Sequence, residues 1–113
     1  MQKTIRQMVH GKSGVRGMVV ATPVLGADGQ TVVGSVVGWS YTHRLDKFDK
    51  AKAVLVASKR AEAKFSNATI PHDIQRMSSQ FVSRAAKYFR VPVANVLVVG
   101  NVAQANAVTE NAA

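Results

Sequence analysis

The chain has 113 residues, 47% of them hydrophobic and 19% charged, which excludes a disordered polyelectrolyte and leaves room for one modest core. Fifteen Lys and Arg against six Asp and Glu give a net charge of +9, which favours a polyanionic partner: DNA, RNA, an acidic protein face or anionic lipid. There is no Cys, which excludes a disulfide scaffold, a thiolate zinc site and a cysteine nucleophile. No run approaches the roughly eighteen apolar residues of a spanning helix, so no membrane partner is expected. The first six residues are basic but lack the apolar segment of a secretory signal, which points to the cytoplasm.

Residues 1–16 carry Lys3, Arg6, Lys12 and Arg16 and no acid. They are expected to form a basic flexible arm, either a frayed terminus or a segment that orders on a partner. Within it Ile5, Met8 and Val9 fit a short strand or half a helical turn equally well. Residues 18–25 and 31–40 are rich in β-branched side chains, and Asp28-Gly29 between them supplies the positive φ angles of a tight hairpin turn. Pro23 cannot donate to a ladder, so the first of these strands is expected to lie at an edge there or to bulge. In the second, Gly34, Val36, Gly38 and Ser40 share one face, and Val33, Ser35, Val37 and Trp39 share the other. The face bared by glycine admits a helix closely. The opposite face is apolar as well, and it is expected to be covered by self-association through Val33, Val37 and Trp39, by a partner, or by the chain's own termini.

Asp46 is placed to cap a helix over about 46–65. Its apolar stripe reads as Ala51, Val54, Leu55, Ala61 and Phe65, with Ser58 inside it, and Lys52, Lys59, Arg60 and Lys64 form a cationic back. Residues 66–71 break the helix, and Pro71 suits the first turn of the next. That second helix, about 71–90, has a stronger pattern: Ile74, Met77, Phe81, Ala85 and Tyr88, flanked by Val82 and Phe89. Arg76, Arg84, Lys87 and Arg90 take the wet side and the last turn, where they also favour the helix dipole. Pro92 ends it, residues 93–99 read as one more strand, and 102–113 read as a mobile tail. The expected architecture is α+β: one domain over 17–101 with a small antiparallel sheet and both helices on one face.

Chemistry finds little purchase. Asp28 is explained by a turn, Asp46 by a cap and Glu110 by the tail. Asp46 and Asp49 stand one turn apart but beside Lys47 and Lys50, and Asp49, Glu62 and Asp73 show no sign of convergence. His10, His43 and His72 have no metal-ligand spacing. Gly11-Lys12-Ser13 lacks the glycine five residues before the lysine that a phosphate-binding loop needs, since Gln7 stands there. No catalytic residue, metal or cofactor is therefore expected, and the chain is read as a non-enzyme. Basic residues on two helices can follow a phosphate backbone, and Lys52, Lys59, Arg60, Lys64, Arg84 and Lys87 are the expected contacts to a polyanion or partner. Aromatics are few, so a single-strand stacking platform is not expected. No helix-turn-helix, zinc-finger or RRM signature is present.

Gly38-Trp39-Ser40, Asp46-Lys47-Phe48-Asp49-Lys50, Arg60-Ala61, and the second helix with Ile70-Pro71, Phe81, Arg84-Ala85 and Tyr88-Phe89 resemble small accessory proteins of tailed bacteriophages. The resemblance spans about 36–90 and consists of short structural motifs. It implies an origin in an infected bacterium, where such proteins bind and redirect host machinery or defences, and it assigns no site residue. The functional expectation is a small binding protein acting on a host protein or nucleic acid. A sequence-tolerant DNA- or RNA-binding protein is the alternative, and a minor virion or assembly protein a second.

Overall fold

A computed structural model describes residues 4–11, 14–42, 47–64 and 69–100. Three strands come first in the chain: β1 (Ile5–Gly11), β2 (Gly14–Leu25) and β3 (Val32–Tyr41). Two helices follow, α1 (Lys50–Ala63) and α2 (His72–Phe89), then a single 3-10 turn over Val93–Asn95 and the short β4 (Val96–Val98). The class is α+β. The sheet order is β1-β2-β3-β4, antiparallel except where β4 runs parallel to β3. The sheet is therefore mixed, not antiparallel throughout: two helices lie between β3 and β4, and a crossover of that length permits parallel pairing.

The β2–β3 hairpin is set by its turn. Gly29 has a φ of 71°, Gly26 N–H donates to Thr31 O at 2.7 Å, and the Asp28 carboxylate accepts from the N–H of Gln30 and Thr31 and from the Thr31 hydroxyl. From there the register runs Gly34 opposite Val24 to Tyr41 opposite Gly17. Pro23 lies beyond the last β1 pair, Ile5 with Ala21, and beside a register shift at Val24/Leu25, so its missing N–H costs the sheet little. The basic segment expected to be an arm is a strand from Ile5 to Gly11, held because Val9 buries its side chain in the core. Lys3, Lys12, Asp46, Phe65 and the tail over 102–113 lie outside the described residues.

The helices do not share a face. Met18 and Val20 of β2 pack with Ala53 and Ala57 of α1, and Val36 of β3 packs with Ala61. On the other side Val9, Val19, Ala21, Val37 and Trp39 pack with Ile74, Phe81, Ala85 and Phe89 of α2. The expectation of both helices on one face is corrected by the strand's own alternation. Each face of β3 is apolar, and each is matched in size by one helix. The face that contains Gly38 takes the alanine row of α1. The face of Val37 and Trp39 takes the bulky row of α2, where each fully buried Phe or Ile contributes about 1.5–3 kcal/mol.

Four further corrections follow. Val37 and Trp39 are 0% and 3% exposed beneath α2, so they are not free for self-association, whereas Val33 at 45% is. The contact row of α1 is Ala53, Ala57 and Ala61, and Leu55 is 54% exposed. The helix cap is Asp49, whose carboxylate accepts from Lys52 N–H at 3.1 Å. On α2 the row Ile74, Phe81, Ala85 and Phe89 is buried as expected, while Tyr88 faces water.

Two outcomes test this packing. A Cβ on Gly38 would stand 2.0 Å from Ala57 O and 2.7 Å from Ala61 N, both backbone atoms that cannot yield without moving α1. Gly38→Ala is therefore expected to lower unfolding free energy by about 3 kcal/mol in urea titration, and a loss near zero would contradict the close approach. Hydrogen bonds from Thr31 and Gln30 lower the Asp28 pKa from 3.8 to about 2. A depressed carboxylate stabilises the fold above pH 3.8 and loses that contribution as pH falls toward 2. Asp28→Asn is expected to be less stable than the parent at neutral pH, with the gap closing across that window in thermal scans.

A candidate cationic cleft at the start of α1

The end of β3 and the first turns of α1 enclose a cleft of about 950 Å³. Ser40 anchors the two elements: its hydroxyl, buried, donates to Ala53 O at 2.7 Å. Among the described residues Lys47, Lys50, Lys52 and Arg60 line the cleft, with Asp49 as the carboxylate and Phe48 as the aromatic ring; Tyr41 borders it too, but its ring packs on the α2 side of the sheet. Asp49 accepts the capping hydrogen bond, and among the described residues four cations border the space against this one acid. Charges of one sign around a recess with low-dielectric walls raise the local concentration of anions.

Arg60 has a second role. Beyond the end of β4, no described strand pairs with the outer edge of β3. Val99 N–H meets Val37 O at 2.9 Å, and the next outward carbonyl, Trp39 O, is met by the Arg60 guanidinium at 2.8 Å. The same guanidinium lies 4.3 Å from the Trp39 ring centroid, and the indole N–H donates to Val99 O at 2.6 Å. Arg60 thus closes the strand edge and stacks on the only tryptophan. Burial lowers its pKa, although a guanidinium stays protonated throughout the ordinary pH range.

The residues expected to bind a polyanion are divided between two sides of the sheet. Lys52 and Arg60 line the cleft, and Lys59 and Lys64 are carried farther along α1, Lys59 exposed within it and Lys64 at its C-cap. Arg84 and Lys87 are on α2, behind the opposite face, where they border a separate groove of about 740 Å³ with Ala86, Val91, Pro92 and Val93. Arg84 is also tied to β1, donating to the Gln7 side chain at 2.7 Å. Lys47 and Lys50 were missed in the sequence because each adjoins an acid. The capping geometry of Asp49 three residues before Lys52 is the signal that removes one of those acids from consideration.

At the N-terminal end of α2, Tyr41 donates its hydroxyl proton to Asp73, which also pairs with Arg76. The hydrogen bond to Asp73 raises the Tyr41 pKa, helped by burial and by the carboxylate's charge. Among the described residues no three His, Cys, Asp or Glu side chains converge as metal ligands, and no helix is long and apolar enough to cross a membrane.

Replacing Arg60 with Ala removes one charge-assisted hydrogen bond and one cation–π contact, worth about 1–3 kcal/mol together. The expected result is that loss in urea unfolding with a shift in Trp39 emission, while unchanged stability and emission would show that Arg60 does not hold the edge. No family model, curated protein or solved structure matches this chain.

Proposed function

We propose that this protein binds nucleic acid without catalysing a reaction, holding phosphate groups at the cleft beside α1. The supporting observation is the convergence of Lys47, Lys50, Lys52 and Arg60 on one recess where, among the described residues, the helix cap Asp49 is the one acid. Phosphate contacts of this kind carry little sequence information and act by releasing counterions. In the setting that the phage resemblance implies, the ligand is met in an infected bacterium, and binding would redirect host machinery.

A second reading, docking on a host protein, draws on the groove at the end of α2. That groove is largely apolar, includes Val93 at 55% exposure and is bordered by Arg84 and Lys87.

The first reading is tested by fluorescence anisotropy with a labelled oligonucleotide across a salt series. About four phosphate contacts correspond to a slope of log affinity on log salt of roughly −3. Lys50→Glu with Lys52→Glu is expected to weaken binding about 100-fold at low salt, and Arg84→Glu with Lys87→Glu far less. No binding at low salt would end this reading. A larger loss from the α2 pair would transfer the site to the other side of the sheet.

A further inference from the structure

We infer that the ligand of the cleft is single-stranded nucleic acid, with one or two nucleotides seated inside; the inference rests on the nucleic-acid reading above. Shape is the first argument. A protein reads duplex with an element that protrudes into a groove, and the major groove is about 12 Å wide. Here the cations border a recess between a strand end and a helix start. The phosphates of a duplex lie on a convex rod and cannot reach into such a recess together with their bases. A single strand can, because its bases and backbone turn independently. A recess of about 950 Å³ falls in the size range of small-molecule sites, which suits about one or two nucleotides.

The lining is the second argument. Sequence-tolerant single-strand sites combine a positive track with aromatic rings on which bases stack. Phe48 lines the cleft and is only half-buried, yet it also packs on the cluster of Met18, Val20, Ala53 and Ala57. Its ring is thus supported by the core while remaining accessible. Tyr41 borders the same space, but its ring packs on the α2 side of the sheet with its hydroxyl on Asp73, so among the described residues Phe48 is the ring that the recess offers. Arg60 is held in place on Trp39, and a guanidinium has five N–H donors, so its bond to Trp39 O leaves others for a phosphate. The low aromatic count argued against an extended platform, but a recess in which one base stacks needs only one ring.

The experiment compares a labelled twelve-residue oligothymidine, a duplex of the same length, and inorganic tripolyphosphate as competitor. The proteins are the full chain, the Lys50→Glu/Lys52→Glu variant and Phe48→Leu, which keeps an apolar side chain in the core while removing the ring. Circular dichroism checks that each is folded. The expected result is oligothymidine binding at least ten-fold tighter than duplex. Phe48→Leu should weaken the oligothymidine about five- to ten-fold and leave competition by tripolyphosphate unchanged. Duplex binding as tight as single strand, still dependent on Lys50 and Lys52, would overturn the inference and leave the nucleic-acid reading standing. Equal affinity of parent and Phe48→Leu for the oligothymidine would overturn it too, reducing the cleft to a phosphate site. Failure of both nucleic acids to bind would remove the two readings together.

Discussion

The arrangement depends on how near α1 comes to β3. Gly38 has no side chain, and the backbone of α1 at Ala57 and Ala61 occupies the space a Cβ would take. Ala53, Ala57 and Ala61 keep that contact flat over two turns, so the helix lies almost on the strand. A bulkier row on either side would lift it away. The opposite face is built on the reverse principle: Val37 and Trp39 are large, and α2 meets them with Ile74, Phe81 and Phe89. One strand is thereby buried on both faces by two helices of different character, and its alternation decides which helix goes where.

That placement controls the charge. Had the helices lain side by side, their outward lysines and arginines would have formed one broad basic surface. Separated by the sheet, they form two. The α1 side gains a recess because β3 ends beside the first turns of the helix, and there Lys47, before α1, joins Lys50, Lys52 and Arg60 within it. Arg60 connects structure to site: it lines the recess, donates to Trp39 O at the edge of β3 and stacks on Trp39. Asp28 and Asp73 are held elsewhere, in a turn and in a pair with Tyr41, so among the described residues Asp49 alone faces the four cations of the recess.

Local chemistry was legible in the sequence. Asp28-Gly29 marked the hairpin, and the three- and four-residue recurrence of Ile74, Phe81 and Ala85 marked α2 and its buried side. Both signals lie within a few residues of what they determine. The contact row of α1 was not legible, because alanine occupies several of its faces and Leu55 and Val54 carry more hydrophobic weight than the row that is buried. β1 was obscured by Arg6, Gln7 and His10, with Val9 its only fully buried side chain. Parallel pairing of β4 joins residues about sixty apart in the chain, a relation that no local pattern encodes. Of the cleft, Lys52 and Arg60 were recognisable as a cationic helix back, whereas the recess itself exists only once β3 and α1 are set against each other.

The separation of the helices is therefore the claim to measure. The chain has no cysteine, so single cysteines at Leu55 on α1 and Ser83 on α2, both exposed, accept spin labels cleanly. Helices on opposite faces of a sheet have axes about 20 Å apart, with layers near 10 Å each, and labels on their outer sides about 30 Å apart. Helices packed side by side have axes 8–10 Å apart. Double electron–electron resonance centred near 30 Å is the expected result, and a distribution centred below about 20 Å would contradict the account.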